Sequence, residues 1–176
     1  MPESASALIL TLGLDPVSFS CLNQLRQQHF PAEKNLLPAH ITLFHTLPIE
    51  QQPSIQQTLP VLCAHLPVFE LWFPGLRFLG RGVALEVDSP QLLQLRQRLA
   101  QTWKGWLTRQ DRQNYRPHVT IQNKTTAEQA RQLYNHLAPL WQPFSGYGTS
   151  LLLWYYQGGP WELAAEFPLG DAADRP

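Results

Sequence analysis

Two stretches of the chain alternate apolar and polar positions in the same way. In one, Ile41 and Leu43 interleave with His40 and Thr42; in the other, Val119 and Ile121 interleave with His118 and Thr120. A period of two predicts a strand, and on a strand residues i and i+2 share a face. Each stretch therefore sends its aliphatic pair toward a core and leaves an imidazole beside a hydroxyl on a surface or cleft. The same rule points His45, five residues after His40, to the opposite face.

The rest of the chain reads as follows. Residues 5–12 are aliphatic and predict a first strand. Asp15-Pro16 predicts a helix start, a capping carboxylate with Pro at the first helical position; this helix carries Leu22 and Leu25 and ends before Pro31. A loop through Leu37 leads to the strand over 40–47. Residues 53–65 predict a helix that Pro60 should kink or break. Residues 69–79 and 83–87 predict a hairpin across Gly80-Arg81-Gly82, with Pro74-Gly75 implying a bulge or an edge strand. Ser89-Pro90 repeats the capping signal ahead of a stripe formed by Leu92, Leu95, Leu99, Trp103 and Trp106. A polar loop over 108–116 precedes the second His-Thr strand. Thr125-x-x-Glu128 is a capping-box pattern, opening a helix lined by Ala130, Leu133, Tyr134, Leu137 and Trp141. Residues 144–156 and 161–167 predict a last hairpin across Gln157-Gly158-Gly159-Pro160, and 170–176 a loose tail.

The order helix, His-x-Thr strand, helix, hairpin thus occurs twice. His40 and His118 stand 78 residues apart, and so do Gly80 and Gly158 in the two hairpin turns. Of the six histidines, only His40 and His118 carry a Thr two residues on. No linker divides the halves. The expectation is an α+β fold, one two-lobed domain over residues 1–169 with lobe-like halves at about 5–88 and 89–168. Each lobe would hold a mostly antiparallel sheet with helices, and a pseudo-twofold between them would set the motif strands across a central cleft.

Composition narrows the function. Hydrophobic residues make up 44% of the 176, which excludes a disordered chain. Charged residues are 15%, with 13 basic and 13 acidic. A net charge of zero argues against a grip on long duplex nucleic acid through many phosphates. It leaves room for a small nucleotide or an RNA end held by a local site. Cys21 and Cys63 are no disulfide framework and read as two buried free thiols in a reducing compartment. Met1-Pro2-Glu3-Ser4 lacks the positive charge of a signal peptide. The longest apolar run, residues 151–156, falls far short of the roughly 20 residues that span a bilayer. The expectation is a cytoplasmic monomer without a membrane partner.

Two imidazoles on opposite sides of a phosphorus atom can serve as base and acid together, and a Thr hydroxyl can donate to a non-bridging phosphate oxygen. Phosphoryl transfer asks the protein chiefly for positioning and charge stabilisation. His40 and His118 are the catalytic candidates, and Thr42 and Thr120 the phosphate-binding ones; no cofactor and no metal is called for. Residues 104–124 hold Lys104, Arg109, Arg112, Arg116 and Lys124 against the single acid Asp111. Arg116 and Lys124 are the closest in sequence to the second motif and join the substrate-binding candidates. So does Tyr115, expected near the cleft mouth. A metal site from His40 and His45 is a poor reading, because the two should face apart and no third ligand suggests itself. His29, His65 and His136 fall on helix surfaces or ends. Trp72, Trp154, Tyr155 and Tyr156 could stack a base, but core packing explains them more simply.

The paired motifs, with Arg116-Pro117-His118-Val119-Thr120 above all, resemble the two-histidine phosphoesterase superfamily, which includes the bacterial RNA 2′,3′-cyclic phosphodiesterases also called 2′-5′ RNA ligases. The resemblance spans residues 5–167. It implies a bilobal fold, acid-base catalysis by His40 and His118 without metal, hydrolysis of 2′,3′-cyclic phosphates, and in some members the reverse joining of RNA ends. The chain departs from the family where Gln122, Asn123 and Lys124 stand in place of a small residue and an Arg, and where Phe44 and His45 follow Leu43. The other class left open is a nucleotide or RNA-end binding module with little or no turnover.

Overall fold

The computed structural model describes residues 5–170. Its elements run β1 (Ala7–Leu14), α1 (Pro16–His29), β2 (Ile41–Leu47), α2 (Gln52–Ala64), β3 (Phe69–Phe73), β4 (Leu76–Phe78), β5 (Val83–Glu86), α3 (Pro90–Thr102), β6 (His118–Gln122), α4 (Ala127–Leu137), β7 (Phe144–Tyr156) and β8 (Glu162–Pro168). The helix starts follow the local chemistry. The Asp15 carboxylate caps α1 by accepting from the Ser18 amide at 3.0 Å, and Ser89 caps α3 through the Leu92 amide. The capping box lies one residue later than predicted: Thr126 and Gln129, not Thr125 and Glu128, exchange the reciprocal bonds that open α4. The Thr125 hydroxyl donates instead to the carbonyls of Arg81 and Thr126. α2 runs without interruption through Pro60. Pro60 and Gln56 both face solvent, so water can take the carbonyl that the proline ring deprives of a partner.

All strand pairs are antiparallel and form two sheets. One has the order β2-β1-β7-β3, with β8 also on β7; the other has the order β4-β5-β6. β1 is buried along its length because β2 and β7 flank it. β7 is long enough for β3 to pair with its first residues and β8 with its last. Pro74-Gly75 makes no bulge but joins two edge strands, β3 and β4, each at the end of its sheet. It is where the chain leaves the first sheet after β3 and enters the second at β4, so the predicted arm 69–79 is two strands. The turns β4–β5 and β7–β8 place Gly80 at φ 87° and Gly158 at φ 83°, a backbone region that side-chain-bearing residues avoid.

The division at residue 88 does not separate the sheets: β7 and β8 complete the first, while β4 and β5 build the second. One continuous apolar core joins them, from Leu8, Leu10 and Ile41 to Val83, Leu85 and Ile121, all buried. Cys63 is buried in that core but Cys21 is exposed, so only one of the two thiols lies where expected. Gly170 is tied by its amide to the carbonyls of Cys63 and Leu66; the rest of the predicted loose tail lies outside the described residues, as does the Met1–Ser4 segment. Among the described residues, no helix is long and apolar enough to cross a membrane.

In this arrangement β2 ends the first sheet and β6 ends the second. Both motif strands are therefore edges, with backbone carbonyls that no neighbouring strand satisfies. Two buried arginines cover them. Arg26 of α1 donates through its Nη1 to the Thr120 carbonyl of β6 at 2.8 Å, and through its Nε to the Leu37 carbonyl and the Asn35 side chain. Arg96 of α3 donates to the Leu43 carbonyl of β2 and to the Asp111 carbonyl, both at 2.6 Å. Each half's helix thus braces the other half's motif strand.

Candidate active site

The alternation at both motifs is as the sequence predicts. Ile41, Leu43, Val119 and Ile121 are buried, while Thr42, Thr120, His40 and His118 are half-buried. His40, Thr42, His118 and Thr120 line one cavity of about 310 Å³ between the two edge strands.

Both imidazoles are fixed in the same way. His40 Nδ1 lies 2.8 Å from the Pro38 carbonyl, and His118 Nδ1 lies 2.9 Å from the Arg116 carbonyl. A carbonyl only accepts, so each Nδ1 carries the proton and donates it. That leaves each Nε2 free to take or give a proton. Burial pushes the His40 imidazole down to about 4, against the opposing pull of the Pro38 carbonyl; the charges of Arg26, His118 and His45 push the same way. Burial lowers His118 as well, with Arg77, His45 and Arg116 adding to it against the Arg116 carbonyl. The charge of one motif histidine is felt at the other, as expected of two rings sharing a cavity.

The remaining sequence candidates divide. Arg116 lines the cavity and reaches Glu86 at 3.5 Å. Tyr115 also lines it, but its hydroxyl is spent, donating to the Thr42 carbonyl at 2.9 Å. Burial raises its phenol, against the nearby charge of Arg96, so Tyr115 braces the first motif from within. Lys124 is not in the central cavity. Its φ of 58° turns the chain at the end of β6, and it lines an adjoining cavity of about 350 Å³ with His40, Thr120, Lys34, Tyr156 and Trp161. Of the basic run around the second motif, Lys104 and Arg112 line a further cavity of about 920 Å³ beside the site.

His45 overturns the strand reading. It lines the same cavity as His40 and Thr42 instead of facing away. The cause is a register shift between β1 and β2: Thr11 opposes Thr42, but Leu10 opposes Phe44. One extra residue on β2 inverts the alternation, so Leu43 and Phe44 are both buried and His45 returns to the cavity side. There its Nδ1 lies 3.1 Å from Asp111 Oδ1. Asp111, almost wholly buried, also accepts from the amides of His45 and Thr46. Burial alone would raise its carboxyl, but the bonds from His45 and these two amides outweigh it and hold the group below the usual range. Period-two reasoning carried no signal for this pair. Two consecutive bulky apolar residues, Leu43-Phe44, were the one available hint of a bulge. Also missed were Arg77, which lines the cavity and pairs with Glu86 at 3.2 Å, and Trp161, whose ring centroid lies 4.8 Å from that of His40. Among the described residues, no three His, Cys, Asp or Glu side chains converge to hold a metal ion.

Comparison with known proteins agrees with this fold. The model of the 2′-5′ RNA ligase superfamily matches residues 15–160. Among solved structures, TT0787 of Thermus thermophilus superposes with a TM-score of 0.68 at 16% identity, covering 94% of this chain and 99% of its own. E. coli LigT in complex with 3′-AMP superposes with a TM-score of 0.64 at 19% identity, covering 94% and 98%. Usb1 of Kluyveromyces marxianus with uridine monophosphate gives 0.50 at 15% identity, covering 96% and 99%. No curated protein matches the chain in sequence.

Proposed function

The chain belongs to the 2′-5′ RNA ligase superfamily, and from that premise we propose that it is a phosphodiesterase opening 2′,3′-cyclic phosphates, on RNA ends or on small nucleotides, by two-histidine acid-base catalysis. One observation carries the reading. Two imidazoles with the same Nδ1–H···O=C anchor line one cavity with two threonines. The nucleotides named with the neighbouring structures, 3′-AMP and uridine monophosphate, fit a substrate of this kind.

In the forward reaction a water attacks phosphorus and the neutral Nε2 of one histidine takes its proton. The protonated Nε2 of the other gives a proton to the departing ribose oxygen, and the P–O bond to that oxygen breaks. The Thr42 and Thr120 hydroxyls donate to the non-bridging oxygens, where negative charge accumulates. His40, held further toward its neutral form, is the more available as the base, which leaves the acid role to His118. Run in reverse, the same groups would join a hydroxyl to a cyclic phosphate, which is the ligase direction. The proton traffic needs no metal ion.

The test is hydrolysis of a 2′,3′-cyclic nucleotide, and of a short RNA ending in the cyclic phosphate, in excess chelator. Turnover should persist. His40→Ala and His118→Ala should each lower kcat by about 10²–10⁴-fold with the fold intact by circular dichroism, and Thr42→Ala or Thr120→Ala should cost less. Saturable binding of a cyclic ester without turnover would favour the binding module instead. Loss of turnover in chelator, restored by a divalent ion, would overturn the mechanism.

A further inference from the structure

The two motif histidines share an anchor but not a neighbour. Trp161, between β7 and β8, packs its ring on His40, with centroids 4.8 Å apart and planes tilted by 57°. Among the described residues no aromatic ring packs on His118 in this way; the guanidinium groups of Arg77 and Arg116 act on it instead. Local structure holds Trp161 in place. Gly158 at φ 83° makes the turn, and the Gln157 amide donates to the Glu162 carboxylate across it at 2.9 Å. Trp154 lies behind, its ring centroid 6.2 Å from that of Trp161. Its indole N–H is tied to the buried Thr11 hydroxyl at 2.8 Å.

Trp161 and His40 both line two cavities. One, of about 350 Å³, carries Lys34, Lys124 and Tyr156. The other, of about 340 Å³, is walled chiefly by apolar side chains, among them Leu12, Phe19, Leu152 and Trp154. Such walls offer water few partners. The indole thus keeps that side of the imidazole dry, and a smaller side chain would let the two cavities run together and admit water to the ring.

The charge around His40 is mostly positive and does not depend on Trp161. Arg26 of α1, His118 of β6 and His45 of β2 act on it, and Lys34 and Lys124 lie along the polar cavity. In the central cavity Arg77 and Arg116 are paired with Glu86, and Asp111 is held by His45 and the Thr46 amide. Arg96 and Tyr115 are spent on backbone carbonyls. A Trp face also attracts a cation, at less than about one pKa unit. Removing water from an imidazole lowers it by up to about 3–5 units, so shielding wins.

Resting on the phosphodiesterase reading, we propose that Trp161 is the positioning residue of His40: it shields the ring from water on the hairpin side and thereby gives the base role to His40 and the acid role to His118. The direction of proton flow then comes from one turn residue, because the two motifs themselves are alike.

The experiment follows the histidine Cε1 protons of the full chain by NMR through a pH titration, which does not depend on turnover. The two signals are identified by their loss in His40→Gln and His118→Gln. In wild type His40 should titrate below His118. Trp161→Ala should raise the His40 midpoint by about one unit or more, and that of His118 by less than about half as much. Trp161→Phe keeps an aromatic cover and should hold His40 near its wild-type value. In hydrolysis of a 2′,3′-cyclic nucleotide, the acid limb of kcat/KM should rise with the His40 midpoint in Trp161→Ala, so the loss of rate grows toward acid pH. An unchanged or lowered His40 midpoint in Trp161→Ala, an equal rise at both histidines, or a Trp161→Phe midpoint as high as that of Trp161→Ala would each overturn the shielding. An acid limb that stays in place while the midpoint moves would overturn the base role. Absence of hydrolysis in wild type would count against the phosphodiesterase reading, while the titration still decides whether Trp161 shields His40.

Discussion

At the scale of single residues, the two motif histidines are equivalent in anchoring and unequal in surroundings. Both donate Nδ1–H to the carbonyl two residues earlier, and burial lowers both below the ordinary value of about 6.5, His40 to about 4. The quantity kcat/KM reports the ionisations of the free protein. Its acid limb reflects the base, which must lose a proton, and its alkaline limb the acid, which must keep one. With both groups lowered, the bell should centre on the acid side of pH 6.5, and its limbs belong to the coupled pair. A pH series of kcat/KM on a cyclic nucleotide checks this; a maximum above pH 7 would contradict it. The His-x-Thr faces were legible from period-two alternation alone. His45 was not, because one inserted residue reverses its face, and a second register shift before Leu47 ends the reversal.

At the scale of elements, the motif strands work because they are edges, and edges need cover. An edge carbonyl inside a protein must find a donor. Here two long side chains from the helices of opposite halves supply it. Arg96 also lies over the rings of Phe44 at 3.8 Å and Tyr115 at 5.1 Å, so it packs as well as bonds. Arg96→Met should strand the carbonyls of Leu43 and Asp111, at about 1–3 kcal/mol for an unsatisfied group. A total of about 2–6 kcal/mol lowers Tm by about 4–24 °C in a chain of this size. Arg96→Lys should recover less than half, since one ammonium lacks the planar fork that reaches both carbonyls. Thermal unfolding followed by circular dichroism reads both. From sequence, Arg26 and Arg96 look like ordinary polar positions on amphipathic helices. Only the approach of the two sheets converts them into braces.

At the scale of the whole molecule, repetition in sequence does not make two independent lobes. β1 lies between β2 and β7, and β7 comes from the second half of the chain. A fragment of residues 1–88 would hold β1, β2 and β3 without the strand that joins β1 to β3, and its apolar core would lose the partners drawn from β6 and β7. It should therefore show no cooperative thermal transition by circular dichroism, whereas the full chain should. A cooperative melt of the fragment would mean that the halves are folding units after all. The two edge strands, β2 through Thr42 and His45 and β6 through His118 and Thr120, give the cavity its two walls.

The sequence by itself determined the element types, the two helix starts at Asp15-Pro16 and Ser89-Pro90, the glycine turns at Gly80 and Gly158, and the sharing of faces by His40 with Thr42 and by His118 with Thr120. These rest on local forces, namely capping, backbone sterics and the period of burial, which act within a few residues. Tertiary structure alone decided that Pro74-Gly75 passes the chain between sheets, that Lys124 turns aside into the neighbouring cavity, that Tyr115 spends its hydroxyl on the Thr42 carbonyl, and that a bulge brings His45 to Asp111, 66 residues away. Each of these depends on which strand pairs with which and in what register. Register is settled by long-range contacts over the whole core, so no local pattern encodes it.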